Sequence, residues 1–305
     1  MNNKNKNTRT SDSFYSEGGS VGFLLVHGLG GSPMTLRFLA QGLARQGYTV
    51  SCPFVPGLAG GSDLEGLSTW QDWYGTVEKA YLELKSNCDR VIVGGLSTGA
   101  VLSLRLAQQY GDEIEALSLY APTLWPNGSG IPKYFKLTAL IRQKWFANLF
   151  MMSKSLPYGI KDDRIRKFWF DMMESQSVSL ADAIGIRGGK LIELRWLGRE
   201  VRKGLAKIQN KTLFMHSRED DMSDISNSFE LMRSIKGPTE MVVLDDSYHM
   251  VTLDRQREHV VNRTAEFVDG ILAAQDQVAS SRNQGASKAT PVQSDEILRS
   301  SGAAE

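Results

Sequence analysis

Cysteine is scarce in this chain, and the scarcity limits the chemistry open to it. Cys52 and Cys88 are the only two cysteines in 305 residues, and neither belongs to a C-x-x-C pair. A disulfide scaffold or a zinc-type site would need more cysteines, or His, Cys, Asp and Glu at ligand spacing. The sequence therefore predicts two buried thiols, no metal ion and no cofactor.

Long hydrophobic runs and a strong charge of one sign are also missing. No apolar run approaches the roughly 18 residues that a membrane-spanning helix requires. Residues 1–10 lack the apolar centre of a signal peptide. The net charge is only +1 at pH 7, and no nucleic-acid-binding motif accompanies the basic residues. These absences favour a cytoplasmic protein that neither spans a membrane nor binds nucleic acid.

A glycine-rich loop, His27-Gly28-Leu29-Gly30-Gly31, follows the first apolar strand, but it lacks the features of a nucleotide site. A phosphate-binding loop would end in Lys followed by Ser or Thr, and a dinucleotide fold needs G-x-G-x-x-G with an acid downstream. Neither pattern is present. We interpret His27 as a scaffold residue that is hydrogen-bonded inside this loop.

The most informative segment that is present is Gly95-Leu96-Ser97-Thr98-Gly99. It follows the β-branched run 90–94 and precedes the helix-like run 100–107, so it predicts a strand, a sharp turn and a helix. Flanking glycines expose the serine hydroxyl of such a turn above a sheet, which is typical of a nucleophile. The pattern also arises by chance in about one chain in ten of this length, so an ordinary serine is the alternative.

A serine nucleophile needs a base to take its proton, and the chain offers four histidines. Three of them lie in a glycine loop, at the end of a strand-like run and in a charged helical stretch: His27, His216 and His259. The fourth, His249, follows the strand-like run 241–245 in a short polar loop. That position would bring its imidazole to the same sheet edge as Ser97. We predict His249 as the base, against the alternative of a structural histidine.

The acid of such a triad should lie between the serine and the histidine along the chain, after a strand of its own. The run 211–216 is typical of that strand, and 217–222 of the loop beyond it. Asp220 is the predicted acid, and Asp221 is the second candidate. Aspartates are also common in turns, but three candidates in the required order favour the catalytic interpretation.

Acyl transfer builds negative charge on the former carbonyl oxygen, so two backbone N–H groups should already point at it. The residue after the nucleophile supplies one of these donors, which predicts Thr98. The second donor should come from the glycine-rich loop, and we assign it to the N–H group of Leu29.

These segments together resemble the α/β-hydrolase superfamily and, within it, the bacterial carboxylesterase and monoacylglycerol-lipase-like group. The most specific of them is the Thr-Leu-Asp that follows His249, and all fall between about residues 13 and 273: 25–31, 70–73, 95–99, 218–222 and 247–254. Two departures border the acyl site. Residues 56–61 lack the usual Gly-His-Gly, and Thr98 and Ala100 stand where the group commonly has Met, Leu or Gln and a second Gly.

The expected fold is α/β, a mostly parallel sheet with helices on both faces, because strand-like runs alternate with helical stretches: 21–26, 48–54, 91–95, 115–121, 211–216 and 240–245. The resemblance implies the α/β-hydrolase fold with a helical cap inserted after its sixth strand. The expected division is into two disordered tails, a two-part catalytic core and the cap: tails 1–12 and 276–305, core 13–122 and 207–275, and cap segment 123–206.

The cap segment, residues 123–206, is rich in aromatic and methionine side chains. Most are expected to form its own core and a few to line an acyl pocket: Trp125, Tyr134, Phe135, Trp145, Phe146, Phe150, Met151, Met152, Phe168, Trp169, Phe170, Met172 and Met173.

The cap segment is also basic, with about 15 Lys and Arg against about 7 Asp and Glu between residues 131 and 205. A solvated surface is the plain interpretation. The alternative hypothesis is contact with anionic lipid or an acidic substrate through eight cations: Lys133, Lys136, Arg142, Lys144, Lys161, Arg164, Arg166 and Lys167.

The triad and the resemblance together imply a serine hydrolase that cleaves carboxylic esters, as a carboxylesterase or an acylglycerol lipase, through an acyl-enzyme on Ser97. The expected partner is a small acyl ester. A thioesterase, an amidase or an acyltransferase would use the same triad, and a non-catalytic ligand-binding module on this fold is a further alternative. A dehalogenase is disfavoured because its nucleophile is aspartate. Activity should fall at acid pH, since the reference pKa of histidine is about 6.5.

Overall fold

The structure, a computed structural model, describes residues 13–59, 67–131, 141, 143–149, 151–153, 158–175 and 185–287. Its strands are β1 (Phe14–Ser16), β2 (Val21–Val26), β3 (Thr49–Cys52), β4 (Arg90–Leu96), β5 (Ala116–Tyr120), β6 (Met151–Ser153), β7 (Gly185–Arg187), β8 (Lys211–Ser217) and β9 (Thr239–Leu244). Its helices are α1 (Arg37–Arg45), α2 (Trp70–Asn87), α3 (Thr98–Tyr110), α4 (Lys144–Ala147), α5 (Asp163–Ser175), α6 (Gly188–Gly204), α7 (Ser226–Ser234) and α8 (Arg257–Ser287).

Seven of the strands form one sheet in the order β1-β3-β2-β4-β5-β8-β9. β1 is antiparallel to β3, and the other neighbouring pairs are parallel. This confirms the predicted mostly parallel α/β fold. The six predicted strands agree with the observed ones to within two residues at each end, because strands buried on both faces leave clear apolar runs. Strand β1 was not predicted, since three residues are too few to show a pattern.

Helices cover both faces of the sheet. Leu24 and Val26 point to one side and belong to the main apolar cluster, which also contains Leu197 of α6. On the opposite side, the hydroxyl of Tyr120 lies 2.9 Å from Thr264 Oγ1 at the start of α8. Parallel strands sandwiched in this way direct all their carboxyl ends to one edge, where the loops that follow them meet.

The cap segment leaves the sheet after β5, which is the fifth strand along the described chain. Besides α4 and α5 it contains β6 and β7, an antiparallel pair in which Met152 faces Ile186, so it is not wholly helical. Its last helix, α6, packs on α2 and α3, because Leu194, Leu197 and Val201 form one stripe that enters the main apolar cluster. Residues 188–204 therefore pack as a layer of the core, although the sequence prediction placed the boundary at 206.

The chain divides into two compact units, residues 1–265 and 266–305. Helix α8 begins in the first unit and continues to Ser287 in the second. The sequence prediction begins a disordered tail at 276, whereas 276–287 are helical, because extending an existing helix requires no new nucleus. Residues 1–12 and 288–305 lie outside the described residues. In the described part of the chain, no helix is long and apolar enough to cross a membrane.

Candidate active site

Ser97 occupies the turn between β4 and α3, at the carboxyl end of a central strand. Its backbone has φ 58° and ψ −117°, a conformation that residues with side chains rarely adopt. The flanking glycines make the turn possible. A Cβ on Gly95 would lie 2.5 Å from the carbonyl carbon of Gly99, and a Cβ on Gly99 would lie 2.0 Å from the oxygen of Val26. This crowding is why the turn needs glycine on both sides of the serine.

Backbone strain is concentrated around this turn. In the part of the chain that the structure describes, three non-glycine residues have positive φ: Ser97, Ala121 and Tyr158. Ser97 and Tyr158 line one cleft, and Ala121 lies two residues before Thr123, which lines it too. Strained conformations persist where the surrounding structure enforces them, and they cluster at functional sites. The strain therefore marks this cleft as the candidate site.

The cleft brings the sheet edge together with the cap segment. The sheet edge contributes Ser97, His249 and the two predicted oxyanion donors, while the cap segment contributes mostly apolar side chains: Pro126, Tyr158, Ile186, Leu191 and Leu194. No Asp, Glu, Lys or Arg occurs among the described lining residues. The described walls are thus mostly apolar, with hydroxyl groups but no carboxylate or basic side chain other than the imidazole of His249.

His249 and Asp220 are directly hydrogen-bonded. His249 Nδ1 lies 2.8 Å from Asp220 Oδ2, and the carboxylate is fully buried. The two residues follow β9 and β8, which are parallel neighbours, so the loops beyond these strands lie side by side. The hydroxyl of Ser217 donates to the carbonyl of Ser247 and joins the loops. The structure thus brings together the base and the acid that the sequence predicts.

The surroundings of Asp220 favour its ionised form. Its Oδ1 accepts the N–H groups of Met222 at 2.8 Å and Ser223 at 2.7 Å, and its Oδ2 faces both His249 and His216. Burial by itself would raise the pKa of Asp220. The charge and hydrogen bonds supplied by His249 and His216 outweigh burial and hold that pKa well below its usual range. A carboxylate is therefore available opposite the imidazole.

Asp221 has different partners. Its Oδ2 accepts the N–H of Gly159 at 3.0 Å, and its Oδ1 accepts the backbone N–H of His249 at 3.4 Å. Burial, reinforced by the charge of Asp220, raises the pKa of Asp221 although His249 opposes this effect. Asp221 therefore ties the cap segment to the loop of His249 and does not contact the imidazole.

The hydroxyl of Ser97 lies 3.1 Å from Thr123 Oγ1, and Thr123 Oγ1 in turn donates to the carbonyl of Ala121 at 3.2 Å. Within the described chain, no hydrogen bond joins Ser97 to His249, although both line the cleft. Such bonds often tighten only when substrate is present. Thr123 was not predicted from the sequence. A hydroxyl residue just after the strand next to the elbow strand was the available signal.

Leu29 and Thr98 follow two neighbouring strands, because β2 pairs with β4 and Val26 lies opposite Gly95. Their N–H groups therefore lie at the same edge of the sheet. Both residues line the cleft. Neither N–H donates in any hydrogen bond of the described residues, whereas the next N–H, that of Gly30, donates to Leu58 at 2.8 Å. Thr98 also begins α3, and the free N–H groups at a helix start favour negative charge.

His27 holds the loop that carries Leu29. Its Nε2 accepts the N–H of Val55 at 3.1 Å, and its Nδ1 lies 3.0 Å from the carbonyl of Gly28. Complete burial lowers the pKa of His27 to about 4. The imidazole is therefore neutral near pH 7 and joins two loops, which agrees with the scaffold interpretation.

None of the aromatic and methionine residues whose side chains are described lines the cleft, so a contribution of this set to the pocket walls stays a prediction for its other members. Trp145 and Phe168 are exposed, and Trp169 packs with Ile160 and Met250. The aliphatic face of α6, the neighbouring strand β7 and Tyr158 line the cleft instead. Tyr134, Phe135 and Phe150 lie outside the described residues.

Most of the eight cap-segment cations are either outside the described residues or paired with a carboxylate of the protein. Lys133, Lys136 and Arg142 lie outside the described residues. Three others pair with carboxylates of the protein itself: Lys144 with Glu193, Lys161 with Glu219, and Arg166 with Asp163. Arg164 and Lys167 are the exposed members of the set that remain. Across the described residues, no group of three His, Cys, Asp or Glu side chains could hold a metal ion.

The fold and the cleft define a class of protein, the serine hydrolases with the α/β-hydrolase fold. Residues 22–256 match the sequence model of the family described as serine aminopeptidase, S33. Because the match covers well over half of the chain, the protein belongs to this family. The superfamily predicted from the sequence is thereby confirmed.

Proteins that are similar to this chain over most of its length include lipases and carboxylesterases. A thermostable monoacylglycerol lipase of Bacillus sp. (strain H-257) is 28% identical over 267 residues, which cover 84% of this chain and 94% of the relative. A carboxylesterase of Bacillus subtilis (strain 168) is 24% identical over 263 residues, covering 85% and 97%. A solved structure from work on the metagenome-derived lipolytic enzymes LipS and LipT has a TM-score of 0.70 at 26% identity, covering 86% and 98%.

Proposed function

We propose that this protein is a carboxylic ester hydrolase, a carboxylesterase or acylglycerol lipase, that works through an acyl-enzyme on Ser97. One observation carries the proposal: the strained Ser97 turn opens on the same uncharged cleft as His249, whose Nδ1 lies 2.8 Å from the buried Asp220. The names of the relatives support the same substrate class.

In the proposed first step, Ser97 Oγ attacks the ester carbonyl carbon while His249 Nε2 takes the hydroxyl proton. Asp220 accepts the Nδ1–H of His249, which leaves the Nε2 lone pair free to act as the base and stabilises the imidazolium that forms. The N–H groups of Leu29 and Thr98 hold the oxyanion. Each such donor contributes roughly 2.7 to 4 kcal/mol of transition-state stabilisation.

In the second step the tetrahedral intermediate collapses, and the imidazolium of His249 returns its proton to the departing alcohol. A water then attacks the acyl-enzyme, with His249 again as base, and releases the carboxylic acid and the free hydroxyl of Ser97. Apart from the buried Asp220, every group in this cycle comes from residues that line the cleft.

The walls of the cleft support an uncharged acyl ester as substrate. An aminopeptidase, the activity in the family description, must hold the free α-ammonium of a peptide, and a buried ammonium needs a carboxylate partner. The described lining residues include no carboxylate. A thioesterase, an amidase and an acyltransferase would share the acylation step and differ only in leaving group or acceptor, so substrate turnover separates them.

Hydrolysis of p-nitrophenyl esters from acetate to palmitate tests the proposal. We expect turnover by the wild type and a loss of about 10⁴-fold or more in Ser97→Ala, because the nucleophile is removed. Ser86→Ala, which removes an exposed serine hydroxyl on α2, is the matched control and should behave as wild type. Equal turnover by Ser97→Ala and wild type would contradict the assignment of Ser97.

A fluorophosphonate probe distinguishes the remaining alternatives. Labelling of Ser97 together with ester turnover supports the hydrolase. Labelling without turnover of any ester would replace it by an acyltransferase or a narrow-specificity amidase or thioesterase. No labelling of the folded protein would favour the non-catalytic ligand-binding module.

Two finer expectations are proposals as well. A cytoplasmic location is one of them, and cell fractionation tests it. Contact of the cap segment with anionic lipid now rests on Arg164 and Lys167 among the described cations, and replacing both by Gln should weaken binding to anionic vesicles. Unchanged vesicle binding would remove the lipid hypothesis for these two residues.

A further inference from the structure

A second histidine, His216, contacts the carboxylate proposed as the triad acid. It is the sixth residue of β8 and is completely buried. Its Nε2 lies 2.7 Å from the carbonyl oxygen of Ser223 and 3.1 Å from Asp220 Oδ2. Its Nδ1 lies 2.7 Å from the hydroxyl of Ser228. His216 was not predicted as a site residue from the sequence, and the proposed mechanism does not use it.

The neighbours of His216 determine where its proton lies. A carbonyl and a carboxylate can only accept hydrogen bonds, so Nε2, which faces both, must carry the hydrogen. Nδ1 faces a hydroxyl, which can donate to it. The hydroxyl of Ser228 therefore supports the tautomer in which Nε2–H points at Asp220 and Ser223.

We infer that His216 is a positioning residue of the proposed reaction, whose Nε2–H holds Asp220 Oδ2 in place opposite His249. This inference rests on the proposed role of Asp220. The carboxylate accepts N–H groups from His249, Met222 and Ser223, and the Nε2–H of His216, which also faces the carbonyl of Ser223, lies against the same Oδ2. Few orientations of the carboxylate satisfy all of these neighbours, so the orientation that serves His249 is fixed before substrate arrives.

His216 also affects the proton balance of the pair. When His249 becomes an imidazolium, its proton must stay on the imidazole and not move to Asp220. A second N–H donor on the same oxygen makes that oxygen a weaker base. The titratable groups around this contact are Asp220 itself, His249 beyond it and the adjacent Asp221, so a change at His216 should be transmitted to the pH dependence of the reaction.

Two substitutions of similar size separate the hydrogen bond from packing. His216→Leu removes the donor, and His216→Gln retains an N–H at about the distance of Nε2. We expect His216→Leu to lower kcat for a p-nitrophenyl ester by about tenfold or more with KM near the wild-type value. The acid limb of kcat/KM should move to higher pH, because the whole charge of Oδ2 then stabilises the imidazolium of His249. His216→Gln should recover most of kcat and the wild-type profile.

Fluorophosphonate labelling supplies the active fraction of each variant, and kcat is divided by it. A wild-type kcat and pH profile in His216→Leu would overturn the inference. Equal losses of kcat in the Leu and Gln variants, with an unmoved acid limb, would also overturn it, because His216 would then act through packing alone. A wild type that the probe does not label overturns the proposed function, and the inference with it.

If His216→Leu does not fold, Ser228→Ala takes its place. We expect it to show a smaller loss of kcat and a shift of the acid limb in the same direction. Wild-type kcat and an unmoved acid limb in Ser228→Ala would then overturn the inference.

Discussion

The sheet edge and the cap segment face the same cleft, but they contribute different things to it. The sheet edge supplies polar groups on loops directly after strands, and these groups are held by short, mostly buried hydrogen bonds such as that between His249 and Asp220. The cap segment supplies apolar walls, among them Ile186, Leu191 and Leu194. From this difference we expect the proposed reaction to depend on the strand ends, and the choice of acyl group to depend on the insertion.

The two regions are joined by carboxylates of the sheet-edge loops. Asp221 accepts the N–H of Gly159 at 3.0 Å, and the fully buried Asp254 accepts the N–H of Lys161 at 2.8 Å and of Asp162 at 3.0 Å. Asp254 also accepts the N–H of Tyr248, next to the base. The same side chains thus join the base loop to residues 159–162 of the cap segment.

The largest effect should separate two adjacent carboxylates at the sheet edge. Asp220→Asn replaces the acceptor of the imidazole Nδ1–H, and we expect kcat to fall about 10⁴-fold because the wrong tautomer of His249 is then favoured. Asp221→Asn replaces one of two oxygens that accept backbone N–H groups and leaves the imidazole contact of Asp220 intact, so we expect a loss below about tenfold. Ester turnover of both variants, corrected for the active fraction, measures the difference.

Asp221→Asn serves here as the matched control for Asp220→Asn, since the two substitutions are chemically identical and one residue apart. Equal losses in both variants would mean that the acid is not assigned to one residue. A larger loss of kcat in Asp221→Asn would contradict the assignment of Asp220. The contact of Asp221 with Gly159 and the His249 loop would then matter more for turnover than the contact of Asp220 with the imidazole.

The sheet edge was predictable from the sequence and the cap segment was not, for physical reasons. Strands buried on both faces leave runs such as 90–96, and a turn that admits only glycine around Ser97 leaves a pattern in single letters. The order of serine, acid and histidine then follows from the topology. Asp220 was predicted ahead of Asp221, but the sequence could not settle between them, because the choice depends on which carboxylate points at His249 across two strands.

The walls of the cleft left no comparable pattern. Tyr158 lines the cleft with φ 59°, and nothing in its neighbours along the chain indicates that conformation. Helix α6 looks like any amphipathic helix, and only packing shows that Leu194 faces both the core and the cleft. Thr123 and His216 likewise acquire their meaning from contacts with residues far away in the sequence.

An intermediate effect concerns the stability of the sheet edge in acid. The pKa of His27 is about 4 in the folded protein and about 6.5 in the unfolded chain, so the unfolded chain binds a proton first as the pH falls. The free energy of unfolding should therefore decrease between about pH 6.5 and pH 4, by roughly 3 kcal/mol in total. Urea unfolding at several pH values measures the slope.

His27→Gln tests whether this residue is the cause. The Gln carbonyl oxygen can still accept the N–H of Val55, but it does not titrate, so the variant should be less stable at pH 7 and less sensitive to acid. His259→Gln, which removes an exposed histidine of α8, is the control for losing one histidine. An unchanged pH slope in His27→Gln would show that the oxyanion loop does not depend on a neutral imidazole.

The smallest expected effect belongs to the cap segment and concerns selectivity. Leu191 lines the cleft from α6 and is partly buried, so Leu191→Ala should enlarge the pocket and Leu191→Phe should shorten it. We expect the ratio of kcat/KM for long and short p-nitrophenyl esters to shift about tenfold, in opposite directions in the two variants, since one methylene is worth roughly 1–3 kcal/mol in such a pocket. Turnover of the acetate ester should change little, because the strand-end residues are untouched. Equal losses on every ester would instead mean that Leu191 supports the reacting groups, and the division between reactive edge and selective wall would fail.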